Sequence, residues 1–253
     1  MPLTASVSTT SNPAHNPTKK LVSSEQFQLF QSHLLELTFT PQSHPSHQVL
    51  AASYINLFFD QKHPERFKCP DWFGVIGVDQ RHHKPYLRTS YVTWQEQLNP
   101  FIVIEFLDAE TATEDLVKTP EGLDDVPTKW DVYEQILRIP YYIVFDAEIH
   151  QLEAFQLIES RYEQLDLTEK QIWIPELEFG LGLWQGDYHG IERHWLRWRD
   201  AHGNWMNIPN NQHPTHSHLP ERIQQHKQRK KHRELGNRLS ERLKNLQLKP
   251  TFI

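Results

Sequence analysis

The sequence predicts an α/β or α+β domain, because helical and strand patterns alternate along the chain. Apolar residues first recur at helical spacing, then two short apolar runs of the strand type follow, and hairpin-like segments come after them. With 253 residues, of which 38% are hydrophobic and 11% aromatic, the chain is long enough and apolar enough to bury a core.

The first ordered elements are predicted to be two helices. Residues 1–20 are rich in Ser, Thr, Asn and Pro and are expected to be disordered. In SSEQFQLFQSHLLEL, apolar residues near helical spacing follow Ser23 and Ser24, either of which can act as the N-cap. SHQVLAASYINLFFDQ is interpreted as a second helix that begins at Ser46, since its apolar residues fall near one face.

Two strands are predicted next. In FKCPDWFGVIGVDQ, Pro70 keeps the preceding residue extended, and aromatic and β-branched residues follow. FIVIEFL is a short continuous apolar run, which is typical of a buried strand. The polar stretch between these strands is expected to be a loop or a β-excursion, and the acidic residues 108–126 are expected to form a long loop.

A helix and several strand pairs follow in the prediction. KWDVYEQILRI has helical periodicity and ends before Pro140. The residues that should share a face of this helix are Trp130, Tyr133, Ile136 and Leu137. The next segment is expected to be a hairpin that turns near Asp146–His150, and the Trp-rich segments after it should be strands with their tryptophans in the sheet core.

Charge is distributed unevenly along the chain. It contains 26 Lys+Arg and 32 Asp+Glu, of which ten and three lie from His213 onward, so that 16 and 29 remain before it. The acidic body argues against broad phosphate binding, whereas the basic tail can contact nucleic acid, a partner protein or only water. Leucines three or four residues apart predict that this tail, residues 211–253, is partly helical.

The compartment is predicted from what the composition lacks. The single cysteine, Cys69, excludes a disulfide within the chain and fits a reducing environment. No apolar run approaches the roughly 18–20 residues needed to span a bilayer, and the N-terminus lacks an apolar signal core. We therefore expect a soluble, cytoplasmic protein with no membrane partner.

Each of the two predicted strands carries one carboxylate, Asp71 in PDWFGV and Glu105 in FIVIEFLDAE. Burying an unpaired carboxylate costs several kcal/mol, so a partner is expected. Two carboxylates at the ends of adjacent strands can share a divalent cation such as Mg²⁺, which prefers oxygen ligands. Alternatively, each carboxylate lies at a strand end, exposed to water or bonded to backbone N–H groups.

Several segments occur in the order found in one nuclease family. They are SHPSHQVLAASYINLFF, CPDWFGV, FIVIEFLDAETATEDL, PTKWDVYEQILRIPYYIVFD, IWIPELEFGLGLWQG and, in the tail, ERLKNLQLKP. Over about residues 45–208 and the tail, the sequence resembles the Uma-type restriction endonucleases of the PD-(D/E)XK superfamily. The ordered set is more specific than any single motif.

The resemblance implies a mixed central sheet flanked by helices, a charged C-terminal helix and Mg²⁺-dependent hydrolysis of phosphodiester bonds in DNA. It implies that Asp71 and Glu105 bind the Mg²⁺, or Mn²⁺ in its place. The lysine of the superfamily's E-x-K pattern is missing, because that position holds Leu107. The Uma-type pattern places a lysine on the next helix, where this sequence has Lys129, so the implied catalytic set is Asp71, Glu105 and Lys129. An ordinary solvent-facing lysine at a helix start is the alternative.

Four other candidates rank lower. His47 is interpreted as a capping or surface residue rather than a phosphate contact, and Cys69 as a strand cysteine rather than a nucleophile. Asp108 is a possible additional oxygen ligand. The histidines of HPTHSH, at 213, 216 and 218, show no structural zinc pattern.

Two classes of function stay open from the sequence. The first is a Mg²⁺-dependent endonuclease acting on DNA, and a homodimer is expected because two cuts in duplex DNA generally need two active sites. The second is a non-catalytic binding or assembly protein on the same fold, favoured by the acidic body, by Leu107 and by the basic tail. A third, weaker idea is a nucleic-acid adaptor that binds through the tail. The expected division is a segment 1–20, a nuclease-like domain 21–210 and the tail 211–253.

Overall fold

The structure, a computed structural model, describes residues 23–79, 90–107 and 127–209, together with Gln224. Predictions for residues 1–20, the acidic stretch 108–126 and the helical tail lie outside the described residues.

The helices are α1 (Ser24–Thr38), α2 (Thr93–Glu96) and α3 (Lys129–Asp131, continued by a π-helical turn, Val132–Ile136), with short 3₁₀ turns at Ser46–Gln48, Thr168–Lys170 and Pro175–Leu177. The strands are β1 (Val49–Ala52), β2 (Asn56–Phe58), β3 (Phe67–Lys68), β4 (Trp72–Ile76), β5 (Ser90–Val92), β6 (Ile102–Leu107), β7 (Tyr141–Asp146), β8 (Gln151–Ile158), β9 (Arg161–Gln164), β10 (Gln171–Ile174), β11 (Phe179–Tyr188) and β12 (Ile191–Arg199).

A mixed six-stranded sheet forms the centre, in the order β1-β4-β6-β7-β8-β9. Only the β6–β7 pair is parallel, and the other neighbours are antiparallel. Two three-stranded sheets accompany it, β10-β11-β12 and β3-β2-β5. This arrangement confirms the predicted mixed α+β architecture.

The helix α1 is built as its sequence predicts and covers one face of the central sheet. The Ser23 side chain accepts a hydrogen bond from the Gln26 N–H (3.3 Å), which selects Ser23 rather than Ser24 as the N-cap. Phe27, Leu34 and Leu35 are buried in a core shared with the β10-β11-β12 sheet. Of the four tryptophans predicted for the sheet core, Trp195 and Trp198 are fully buried there, whereas Trp184 and Trp205 are only half-buried.

Alternation along β6 separates two cores. Ile102, Ile104 and Phe106 belong to the core under α1, while Val103 lies in a second core with Trp130 and Tyr133 of the α3 segment. Because successive side chains of a strand point to opposite faces, Glu105 belongs to the face of Val103. The fold thus directs Glu105 toward α3.

The predicted second helix is wrong. From Ser46 the chain makes one 3₁₀ turn and then enters β1, where Leu50 and Ala52 are buried and pair with Val75 and Phe73 of β4. The apolar spacing that suggested a helix therefore belongs to two short strands. Tyr54, with a φ of 53°, lies in the turn between them.

The predicted apolar face of the α3 segment is wrong at one residue. Ile136 is 45% exposed, whereas Leu137 is 3% exposed. The Leu137 N–H bonds to the Val132 carbonyl five residues back, so the turn is wider than an α-helical one. This widening rotates Ile136 out of the face that 3.6-residue periodicity predicts.

Across the described residues, no helix combines the length and apolarity that a membrane crossing requires.

Candidate active site

The two predicted carboxylates lie side by side where β4 and β6 begin to part. The last ladder pair is Trp72 with Ile104, so Asp71 and Glu105 follow as the next opposed residues. The Asp71 N–H donates to Glu105 Oε2 (3.1 Å), and the Phe106 N–H donates to Asp71 Oδ2 (2.7 Å). Side-chain carboxylates thus accept the backbone hydrogen bonds that the ladder no longer satisfies.

Lys129 joins this pair from the start of α3. The Lys129 Nζ lies 2.8 Å from Glu105 Oε2, and the two residues are 1% and 0% exposed. The insertion 108–126 between them in sequence does not keep them apart. The alternative of a solvent-facing helix lysine is therefore excluded by its burial.

A capping box sets the position of Lys129. The Thr128 side chain accepts from the Asp131 N–H (3.3 Å), and the Asp131 carboxylate accepts from the Thr128 N–H (3.3 Å) and hydroxyl (2.7 Å). These bonds start the helix at Lys129 and hold its first turn. Lys129 thereby enters the site from a defined backbone position.

Tyr133 also contacts Glu105, whereas helical periodicity predicts for it only a place in the helix core. Its hydroxyl donates to Glu105 Oε1 (2.8 Å), and the side chain is fully buried. The available signal was the spacing: residues i and i+4 of a helix lie on one face, so Tyr133 should accompany Lys129. The Tyr133 ring also packs in the second core, and this packing hides the polar role of its hydroxyl from a periodicity argument.

Electrostatically, the site contains a buried ion pair with neutral donors around it. Burying a charge is tolerable only when it is paired and hydrogen-bonded, and Glu105 has Lys129, Tyr133 and the Asp71 N–H as partners. Burial raises the pKa of the nearby Tyr54 phenol well above its usual value, and the negative charge of Asp71 raises it further. Tyr54 therefore stays neutral at the edge of the site.

The donor set fits a hard divalent ion. Asp71 and Glu105 bring carboxylate oxygens to one strand end, and Mg²⁺ is typically held by one or two carboxylates plus waters and substrate phosphates. Within the described parts of the chain, no three His, Cys, Asp or Glu side chains form a metal cage. Such a pair suits Mg²⁺ or Mn²⁺ with retained waters rather than a fully protein-coordinated metal.

The remaining candidates differ in burial, and some lie outside the described residues. Leu107 packs partly buried against the second core, so an apolar side chain fills the E-x-K lysine position. His47 is exposed in the 3₁₀ turn, and Cys69 is half-buried and forms no disulfide. Asp108 and the histidines at 213, 216 and 218 lie outside the described residues.

Comparison with protein families gives one finding for this chain. The family model Uma2, described as "Putative restriction endonuclease", matches residues 23–190, more than half of the chain. The matched range contains Asp71, Glu105, Lys129 and Tyr133. No curated protein is similar enough to the chain to count as a match.

Proposed function

The chain belongs to the Uma2 family of restriction-endonuclease-like proteins, and from this premise we propose that it is a Mg²⁺-dependent endonuclease that hydrolyses phosphodiester bonds in DNA. The observation that supports the proposal best is the convergence of Asp71, Glu105 and Lys129, which are far apart in sequence, at one buried strand end. A family match alone gives the nuclease class, whereas this cluster provides residues for the chemistry.

Each residue has a distinct proposed role. Asp71 and Glu105 hold the divalent ion through carboxylate oxygens. The bound ion supplies Lewis acidity that polarises a phosphate oxygen and lowers the pKa of a water ligand. Lys129, whose ammonium lies 2.8 Å from Glu105 Oε2, offsets the negative charge of that ligand and orients the attacking water.

Metal binding and cleavage test these roles together. We expect Mn²⁺ binding by calorimetry to fall at least about 100-fold in Asp71→Asn and Glu105→Gln, because each loses a charged ligand. Lys129→Met should keep measurable Mn²⁺ binding while its rate of plasmid nicking falls by about 10²–10³. Glu153→Gln, a glutamate of β8 in the same sheet, is the matched control and should behave like wild type.

Two results would reject the proposal. One is a wild-type protein that binds neither Mg²⁺ nor Mn²⁺. The other is nicking that persists undiminished in both carboxylate variants, since the activity would then come from elsewhere. For the second result to count, each variant must remain folded at the assay temperature, as shown by circular dichroism, even where its stability is lower than that of wild type.

A non-catalytic protein on the same fold is the second candidate. It is favoured by Leu107 at the E-x-K position and by the ion pair that Lys129 already forms with Glu105. This candidate predicts DNA binding or self-assembly without cleavage at any Mg²⁺ or Mn²⁺ concentration. Deleting residues 213–253 and measuring mass by light scattering tests whether the tail supports the homodimer that we propose for cutting both strands.

A further inference from the structure

Glu105 is fixed from both of its oxygens. Tyr133 donates to Oε1 at 2.8 Å, while Lys129 and the Asp71 N–H donate to Oε2 at 2.8 and 3.1 Å. Donors on both oxygens hold the plane of a carboxylate, whereas donors on one oxygen allow it to pivot. Tyr133 therefore controls the rotation of the Glu105 head group.

The backbone that carries Tyr133 is unusual. Tyr133 lies in the π-helical turn Val132–Ile136, and its own carbonyl accepts from the Ile139 N–H (2.8 Å). Such turns are uncommon and often occur at functional sites. The ring is held by an edge-on contact with Tyr142, with ring centroids 5.3 Å apart, so the hydroxyl has little freedom to follow a moving carboxylate.

We propose that Tyr133 is a positioning residue that fixes the carboxylate of Glu105 and makes the site select Mg²⁺ or Mn²⁺ over Ca²⁺. This inference rests on the proposed role of Glu105 as a metal ligand. Mg²⁺ demands near-ideal octahedral geometry, whereas Ca²⁺ accepts variable geometry and often takes a carboxylate through both oxygens. Bidentate binding requires the carboxylate to turn both oxygens toward the ion. Tyr133 on Oε1, together with Lys129 and the Asp71 N–H on Oε2, holds the carboxylate against that turn and therefore disfavours Ca²⁺.

A purely structural role for Tyr133 makes a different prediction. If its hydroxyl only satisfies a buried oxygen, removing it should lower stability and weaken all divalent ions alike. Selection through geometry instead requires a change in the ratio between ions. The ratio of the Ca²⁺ and Mn²⁺ dissociation constants is therefore the informative quantity.

The experiment compares Tyr133→Phe with a matched control. Tyr91→Phe removes the hydroxyl of another fully buried tyrosine of the same core, which donates to the Leu98 carbonyl (3.1 Å) instead of to Glu105. By calorimetry on the full chain, we expect the ratio of the Ca²⁺ to the Mn²⁺ dissociation constant to fall about 10-fold in Tyr133→Phe. The ratio should stay at the wild-type value in Tyr91→Phe.

Crystal structures of the metal-free proteins give a readout that needs no ion. We expect the Glu105 carboxylate to be rotated or split between orientations in Tyr133→Phe and unchanged in Tyr91→Phe. An unchanged ion ratio together with an unmoved Glu105 overturns the inference. If wild type binds neither ion, the proposed function and the selectivity fail together, and the orientation of Glu105 in the metal-free crystals still decides whether Tyr133 positions it.

Discussion

Glu105 is completely buried, and so is nearly all of its partner Lys129. An ion pair in this environment contributes little net stability compared with apolar residues, but removing one partner leaves an uncompensated charge inside the protein. The cost of such a pair is therefore best explained by a task that needs both charges. The proposed metal site would be such a task, and the cost of the ion pair can be measured as a change in the stability of the protein.

Lys129→Met should lower the free energy of unfolding by about 3 kcal/mol, because Glu105 then keeps its charge without a cation. Urea denaturation followed by tryptophan fluorescence measures this loss. The double variant Glu105→Gln with Lys129→Met should recover most of it, since neither charge remains. A double variant that is less stable than Lys129→Met alone would contradict the assignment of the cost to a buried charge.

The family resemblance implied the pairing of Asp71 with Glu105, whereas neither the sequence pattern nor the resemblance assigned Tyr133 to the site. Asp71 precedes Phe73 by two residues and Glu105 follows Val103 by two, so strand alternation places both carboxylates on the face of the second core. The hydroxyl bond of Tyr133 depends on the depth at which α3 packs. Local periodicity contains no information on that depth.

Among the elements, α1 is attached to β12 through one polar side chain. Gln31 is fully buried, and its amide bonds both backbone groups of Leu196: Nε2 donates to the carbonyl (2.9 Å), and Oε1 accepts from the N–H (2.8 Å). The glutamine thus completes the hydrogen bonding of this strand at the point where α1 crosses it. The helix and the strand are thereby fixed in register.

Gln31→Leu should destabilise the protein by about 2–4 kcal/mol, because two buried backbone groups lose their partners. Chemical denaturation of this variant beside Gln26→Leu, the same change at an exposed position of α1, isolates the effect. We expect the control to remain within about 0.5 kcal/mol of wild type. Equal losses in the two variants would show that helix propensity, not the contact with β12, determines the result.

The β7–β8 turn meets β12 through two histidines. The rings of His150 and His194 are 4.3 Å apart between centroids. Burial lowers the pKa of His150 below its ordinary value of 6.5, and the neighbouring His194, Arg193 and Lys170 lower it further. The folded protein therefore resists the proton that the unfolded chain accepts.

Stability from His150 is present above pH 6.5 and declines as the pH falls below it, because only the unfolded state then gains a proton readily. His150→Gln should therefore show a shallower loss of melting temperature between about pH 7 and 5 than wild type. His194→Gln should act in the same direction by removing one source of repulsion. A steeper acid dependence in either variant would contradict this sign.

The elements show where periodicity succeeds and where it fails. α1 and β6 were predictable because each has a long or continuous apolar pattern with one interpretation. The prediction for the segment after Ser46 failed because its apolar residues fit helical spacing. Pairing of β1 with β4, and of β2 with β3 and β5, makes them strands. Partner strands decide such short segments, and a local pattern does not specify the partner.

For the whole molecule, charge separates the body from the tail. The body carries an excess of acidic residues, whereas the tail from His213 onward has ten Lys+Arg against three Asp+Glu. An acidic body provides little general attraction for a DNA backbone, so the tail should supply much of the nonspecific affinity of the proposed nuclease. The site would then act on DNA that the tail holds near it.

Deleting residues 213–253 should reduce the salt dependence of DNA binding. The slope of log K against log salt concentration is about −0.9 for each phosphate that a protein neutralises. Removing the ten tail cations should therefore make the slope less negative by several units, measured by fluorescence anisotropy on a duplex over a series of KCl concentrations. Replacing three tail lysines, Lys227, Lys230 and Lys231, by Gln removes three positive charges and should give a slope between those of the wild-type and the truncated protein. An unchanged slope in the truncated protein would instead assign the phosphate contacts to the acidic body and its candidate active site.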